Sequence, residues 1–234
     1  MRIIATATLA VLLAGGSLLA PSSAANATKW NTIALYKLNE APGATTAVDS
    51  SGTGMDATIG NQVNVGWTFG SRTYVNFPSA GAWTPNDERL ILHDDNDLLD
   101  PGDGIYRVAI ALRTRTTGTN IVQKGQSGTV GGYWKLEVHN GLASCFFRGS
   151  NGQQSGVGSG FRIDDGQWHK IVCTRFPDRT VMRVDGGITG TRWAPSGTVS
   201  NIKPLSIGGK AECGGSVGCD YFVGDIDYLR ISKR

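Results

Sequence analysis

The stretch Ile163–Gly187, IDDGQWHKIVCTRFPDRTVMRVDGG, decides the fold of this chain. Trp168 to Arg175 is rich in Ile, Val, Cys and Thr, side chains that suit a pleated, half-buried surface. Pro177, Asp178 and Arg179 make a turn, since proline pre-sets φ and aspartate bonds its own backbone. Thr180 to Asp185 alternates Val181, Arg183 and Asp185 against Met182 and Val184, the period of a second strand. Asp185-Gly186-Gly187 then turns the chain again. The stretch reads as an antiparallel hairpin with one buried face.

The same period extends outward. Tyr106, Val108, Ile110 and Leu112 alternate with Arg107, Ala109, Ala111 and Arg113. Trp134, Leu136 and Val138 alternate with Lys135, Glu137 and His139, and Asn140-Gly141 follows, a strong hairpin signal. Leu142 to Arg148 is the return strand. Further strands are expected at Trp30–Asn39, Thr73–Phe77, Asn120–Lys124, Lys203–Gly208 and Tyr221–Ile231. Gly149 to Gly160, crowded with glycine and serine, reads as a loop. So do the acidic run Asp94–Asp97 and the segment from Ser79 to Asp87. No amphipathic helix of useful length, no repeat and no linker appear.

Asp165, Gly166, Trp168, His169, Ile171, Val184, Asp185 and Gly186 form a pattern that resembles the centre of laminin-G-like domains, of the concanavalin A-like lectin/glucanase superfamily. Phe222, Gly224, Ile226, Asp227, Leu229, Arg230 and Ile231 resemble the closing strand of that family. Asp49 to Thr58 resembles its opening, with Thr53 and Ala57 standing where Asn and Gly are usual. The resemblance covers nearly all of residues 28–234. It implies an all-β, two-sheet antiparallel jelly-roll sandwich, with Trp168 packed in the sandwich and His169 along the same strand as a framework residue.

Composition agrees with a turn-rich β protein. Glycine numbers 33 of 234 residues, twice the usual share of about 7%. The formal net charge is only +3, and the basic residues do not cluster along the chain, which argues against nucleic acid as a partner. Residues 1–27 hold Arg2, an apolar run and small residues near 24–27, the pattern of a secretory signal peptide. Residues 28–234 are then one exported domain, expected to be secreted, monomeric and without a membrane span. An even number of cysteines in such a chain suggests disulfides. Four cysteines allow three pairings. Cys145 and Cys173 lie in strand-like segments that could be neighbours, and Cys213 and Cys219 flank a glycine-rich loop, so 145–173 and 213–219 are favoured. Zinc is disfavoured, for want of close Cys-x2-Cys spacing and a suitably placed His.

Catalysis finds little support. A retaining glycosidase needs two carboxylates about 5–5.5 Å apart. Asp225 and Asp227 are the nearest arrangement, without a glutamate at either end; Glu40, Glu88, Glu137 and Glu212 lie elsewhere. No G-x-S-x-G or H-E-x-x-H occurs. A binding module is expected, for a glycan or polysaccharide first and for an extracellular protein second. Exposed aromatics with polar neighbours suit sugars, and Trp83, Tyr133 and Trp193, with Asn86 and Arg192, are the candidates. The oxygen-rich opening loop makes Asp49 and Asp56 candidate calcium ligands, and Asp227 is a further candidate for holding a cation.

Overall fold

The structure, a computed structural model, describes residues 29–79, 86–213 and 219–234. The signal-peptide reading therefore lies outside the described residues. The strands are β1 (Asn31–Tyr36), β2 (Thr46–Ala47), β3 (Ala57–Ile59), β4 (Asn64–Phe69), β5 (Arg72–Phe77), β6 (Ile91–His93), β7 (Tyr106–Thr114) and β8 (Gly118–Lys124). The second half of the chain adds β9 (Gly132–His139), β10 (Leu142–Gly149), β11 (Gln154–Arg162), β12 (Trp168–Arg175), β13 (Thr180–Val184), β14 (Gly187–Arg192), β15 (Leu205–Ile207) and β16 (Gly224–Lys233). Two short 3-10 turns, Asn86–Arg89 and Asp97–Leu99, accompany them.

They form two antiparallel sheets. The first runs β14-β13-β12-β7-β16-β5-β4, and β1 also pairs with β16. β16 is long enough to serve two neighbours on one side, β5 along Gly224–Ile226 and β1 along Leu229–Lys233. The second runs β11-β10-β9-β8-β15-β6-β3-β2. The apolar residues of the alternating runs face each other between the sheets: Val108, Ile110 and Leu112 from β7, Ile171 and Cys173 from β12, and Trp134, Leu136 and Val138 from β9. Burying such a shared face is the main driving force for a sandwich. Tyr36 and Tyr106 are buried in it with their hydroxyls donating to Met55 O at 2.6 Å and Leu99 O at 2.8 Å.

All three turns read from sequence form, the one at Pro177–Arg179 closed by Phe176 N donating to Arg179 O at 2.7 Å. Asn140 and Gly141, at φ of 53° and 81°, and Asp185 and Gly186, at 51° and 89°, hold the paired left-handed conformations of a two-residue turn, whose twist matches that of the flanking strands.

Three expectations need correction. Gly149–Gly160 is not a loop, because it contains most of β11. Its buried members are Ser155, Val157 and Ser159, and its glycines mark a close approach to β14 of the other sheet. A Cβ at Gly190 would lie 2.5 Å from Gly158 O and 2.6 Å from Val157 Cγ2. Thr180 and Ser155 join the sheets there through hydroxyls 2.8 Å apart. Second, Cys145 and Cys173 do pair, and so do Cys213 and Cys219. Yet β10 and β12 belong to different sheets, so the first bridge crosses the core and is no link between neighbouring strands. Third, Trp168 does not pack between the sheets; the core-facing positions of β12 are His169, Ile171, Cys173 and Arg175, and Trp168 lies on the outer face.

His169 is held at its edge position by two carboxylates. Nδ1 lies 2.8 Å from Asp185 Oδ2 and Nε2 lies 3.2 Å from Asp165 Oδ1, while Asp185 Oδ1 accepts from Lys170 N. Burial works against its charge, but the hydrogen bonds to Asp185 and Asp165 outweigh burial and raise its pKa above the ordinary 6.5. A raised folded pKa adds stability that is complete below 6.5 and is lost as pH rises through the folded value. Denaturant unfolding at pH 5.5 and at pH 8.5 should therefore show a smaller difference in His169→Gln than in the parent, the parent losing this contribution at the higher pH.

Candidate functional site

Every second residue of the first sheet points away from the core. Antiparallel register places Trp168 beside Arg113, Arg113 beside Asp225, Asp225 beside Asn76 and Asn76 beside Asn64, a polar row across five strands. Arg113 Nε donates to Asp225 Oδ2 at 2.7 Å, Asn76 Nδ2 to Asp225 Oδ1 at 2.7 Å, and Asn64 Nδ2 to Asn76 Oδ1 at 3.0 Å. The carboxylate of Asp225 is thus fully engaged and holds the row rigid.

Aromatic rings collect around Arg113. Its guanidinium carbon lies 5.2 Å from the ring centre of Phe69, 5.5 Å from that of Tyr74 and 5.3 Å from that of Trp168. Tyr74 and Trp168 meet edge to face at 5.4 Å, and Arg72 covers Trp168 at 4.7 Å. Each such cation–ring contact contributes about 0.5–1 kcal/mol at an exposed site. Within this cluster Tyr74 is buried, but Phe69 is 61% exposed, and Trp67 two residues earlier on the same edge strand is 49% exposed. The chain therefore holds large rings on the outside of a sheet, fixed by arginines.

Next to the cluster the face sinks into a cleft of about 1020 Å³, bordered by Trp30, Lys37, Arg72, Arg107, Lys170, Asp227, Tyr228 and Arg230. Its floor is low because Ala109 and Val172 are short. A bulge in β16 between Ile226 and Tyr228 inserts Asp227 as an extra residue. The bulge lets Asp227 and Tyr228 both reach this cleft, as bulges re-aim side chains. Asp227 is ion-paired with Arg72. Burial raises its pKa, against the lowering effect of Arg72. Arg107 stacks at 3.6 Å on the ring of Trp30 and donates to Thr174 Oγ1 at 3.3 Å.

The candidates read from sequence are dispersed. Trp83 and the side chain of Asn86 lie outside the described residues. Tyr133 belongs to the second sheet, almost buried and stacked on Phe146 with ring centres 5.5 Å apart. Arg192 ends β14, and Trp193 just after it is 70% exposed with Arg179 over its ring at 4.8 Å. Of the candidate cation ligands, Asp49 and Asp56 share one loop and Asp227 sits apart with Arg72. Among the described residues these three do not converge as a metal-holding cluster. Asp49 accepts from the backbone N–H of Leu35, Ser51 and Met55 and from the hydroxyls of Ser51 and Thr53. These donors outweigh the effect of burial and lower its pKa to about 2. A carboxylate so occupied closes the loop and has few lone pairs left over. Asp225 and Asp227, the nearest approach to a catalytic carboxylate pair, each bond an arginine side chain, Arg113 and Arg72.

The sequence profile of the laminin G domain family matches residues 112–234. The chain belongs to the laminin G domain family. No curated protein matches it in sequence. Among solved structures, the laminin G chain is similar to the binding domain of Paraclostridial mosquitocidal protein 1, at 10% identity and a TM-score of 0.62 over 87% of this chain and 48% of that one. It is also similar to the botulinum neurotoxin serotype G binding domain, at 9% identity and a TM-score of 0.60 over 87% and 47%. A third is the botulinum neurotoxin serotype D ligand-binding domain in complex with N-acetylneuraminic acid, at 12% identity and a TM-score of 0.58 over 87% and 47%. The chain spans about half the length of these structures. At such identities the likeness is one of fold, a two-sheet jelly roll.

Proposed function

We propose that this laminin G domain is an exported, non-catalytic carbohydrate-binding module whose ligand lies on the outer face of the first sheet. The observation that carries the reading is the arginine-braced aromatic cluster beside a cleft of about 1020 Å³, with Arg72 common to both. Sugar rings stack their apolar C–H faces on aromatic side chains, and their hydroxyls need fixed polar neighbours. Phe69 and Trp67 offer the first, and Arg72, Tyr228 and Asp227 the second. The neurotoxin D domain bound to N-acetylneuraminic acid is a sugar complex on a similar fold, which supports the class of ligand and no more. Two disulfides and the leader-like start of the chain are consistent with an oxidising compartment outside the cell. Among the described residues, no helix is long and apolar enough to cross a membrane.

The test is binding of the chain to arrayed glycans and insoluble polysaccharides. Phe69→Ala should weaken binding at least tenfold and lower stability by no more than about 1 kcal/mol, the worth of its exposed contact with Arg113. Trp193→Ala should leave binding intact. Chelator should have no effect, given the occupied oxygens of Asp49. Loss of binding in Trp193→Ala with retention in Phe69→Ala would move the site to the end of β14, and a blank on every glycan would refute the reading.

A further inference from the structure

Gln123 lies in β8 between core-facing Val122 and Lys124, so its side chain is set on the outer face of the second sheet. Register places it between Lys135 of β9 and Ser206 of β15. An outward glutamine in a sheet is ordinarily wet, yet Gln123 is only 4% exposed. Among the described residues its Oε1 is buried and accepts no hydrogen bond. Native interiors rarely leave such an acceptor unmet without a reason.

The cover over Gln123 is an arm that follows β15. Gly208 N donates to Ile121 O at 2.8 Å and Asn120 N donates to Asp220 O at 3.0 Å, which fastens both ends of the arm to β8. Lys210 and Cys219 exchange backbone bonds of 2.9 and 3.3 Å, and the Cys213–Cys219 disulfide closes the arm on itself. Between arm and sheet lies a cavity of about 300 Å³, bordered in part by Gln123, Tyr133, Lys135, Lys210, Glu212 and the disulfide.

The walls select the contents. Lys135 is paired with Glu137, Lys210 with Asp220 and Glu212 with Lys203. With each of these charges answered, the cavity favours a neutral ligand. Its volume stands at the lower end of the ~300–1,000 Å³ range of small-molecule sites, room for one sugar ring and not for a chain. Gln123 Oε1 calls for an N–H or O–H donor. Burial raises the pKa of Tyr133, so its hydroxyl keeps a proton to give to a carbonyl. The disulfide and the Tyr133 ring form an apolar wall. A donor N–H, an acceptor carbonyl and a methyl held on three adjoining atoms make an acetamido group.

We infer that this cavity is a second ligand site, which takes one neutral sugar residue bearing an acetamido group. The acetamido N–H donates to Gln123 Oε1, its carbonyl accepts from the Tyr133 hydroxyl, and its methyl meets the disulfide. Ring hydroxyls are left to Lys135, Lys210 and Glu212. The site lies on the sheet opposite the arginine-braced rings, and it stands independently of the reading given for that face.

The experiment titrates the nitrogen-labelled chain with N-acetylglucosamine, N-acetylgalactosamine, glucose, galactose and glucosamine, followed by NMR. The side-chain amide signal of Gln123, identified by its absence in Gln123→Met, should shift on addition of an acetamido sugar. The acetamido sugars should bind roughly tenfold or more tightly than the sugars without the group, because the analogue leaves the buried acceptor unmet. Gln123→Met should abolish this binding with a melting temperature unchanged or raised, since an apolar side chain of similar shape replaces an unsatisfied amide. A merely structural amide would lower the melting temperature instead. Tyr133→Phe, which removes only a hydroxyl, should weaken binding by roughly fivefold. Phe69→Ala should leave it intact. Equal binding of glucose or glucosamine, an acetamido sugar that binds without moving the Gln123 signal, or no binding of any acetamido sugar would each overturn the inference. If polysaccharides bind through Phe69 while acetamido sugars do not bind at Gln123, this inference falls and the reading of the first sheet stands.

Discussion

Replacing Lys124 with Met is expected to destabilise the domain by about 3–5 kcal/mol, the usual cost of leaving a buried charge without its partner. Lys124 ends β8 on its core-facing side and is fully buried. Its Nζ donates to Asp95 Oδ1 and Asp100 Oδ1, both at 2.7 Å, and to Asn201 O. The Asp100 side chain is itself only 5% exposed. It also accepts from Ser200 Oγ at 3.0 Å and Asn201 N at 3.2 Å, so the lysine and one carboxylate tie together strand β8, the turn before β7 and the segment before β15. Methionine matches the lysine stem and removes the charge, which leaves Asp100 buried and unneutralised. Adding Asp100→Asn to Lys124→Met should recover most of the loss, because the pair and not either residue carries the effect. Equilibrium unfolding in urea of the two single variants and the double variant measures this. A Lys124→Met loss under 1 kcal/mol would show that the interior tolerates Asp100 alone.

The second large effect is expected from the bridge between the sheets. Cys145 and Cys173 close a loop of 28 residues, with both side chains buried. Loop-closure entropy for that length gives about 3.5 kcal/mol, against about 2 kcal/mol for the six-residue separation of Cys213 and Cys219. The double variant Cys145→Ala/Cys173→Ala should therefore fall further in denaturant midpoint than Cys213→Ala/Cys219→Ala, and two small side chains facing each other across the core add a packing loss to the first. Mild reductant applied to the folded protein should open the outer bridge first, because a thiol reagent must reach the sulfur it attacks. Equal stability of the two double variants would mean that the central bridge does no more than a well-packed apolar pair.

Both results depend on features that local sequence does not display. Lys124 follows Ile121 and Val122 in a short strand whose alternation is broken by a bulge between Asn120 and Val122. Nothing in that run marks its lysine as inward-facing. Asp95 sits in an acidic run that reads as a solvated turn, and its partner is 29 residues away. The pairing of Cys145 with Cys173 was legible, but that it crosses the sandwich was not, since alternation shows which residues share a face and not which sheet a strand joins.

The candidate site shows the same division. Alternation in β7 and β12 is enough to say that Arg107, Ala109, Ala111 and Arg113 share one face, and Lys170 and Val172 another. It cannot say that these two faces are one surface, or that β16 carries Asp225 and Arg230 onto it. β4, with Trp67 and Phe69, carries no strong strand signal and gains its place by pairing with β5. The loop aromatics drew attention in the sequence because loops commonly carry binding residues, yet the arginine-braced rings stand on strands.

By itself the sequence favoured the cysteine partners found, and it determined the all-β class, the central and closing strands and the two tight turns. Each of these rests on short-range physics: side-chain period, the left-handed freedom of Asn-Gly and Asp-Gly, and a family pattern carried in runs of a few residues. Only the tertiary structure decided that Trp168 lies outside, that glycine-rich β11 is a strand pressed against β14, that Lys124 is buried, and that cations distant in the chain meet around one cleft. Those outcomes follow from strand order, register and bulges, which bring together residues from 24 to 155 positions apart and leave no trace in the local pattern of any one of them.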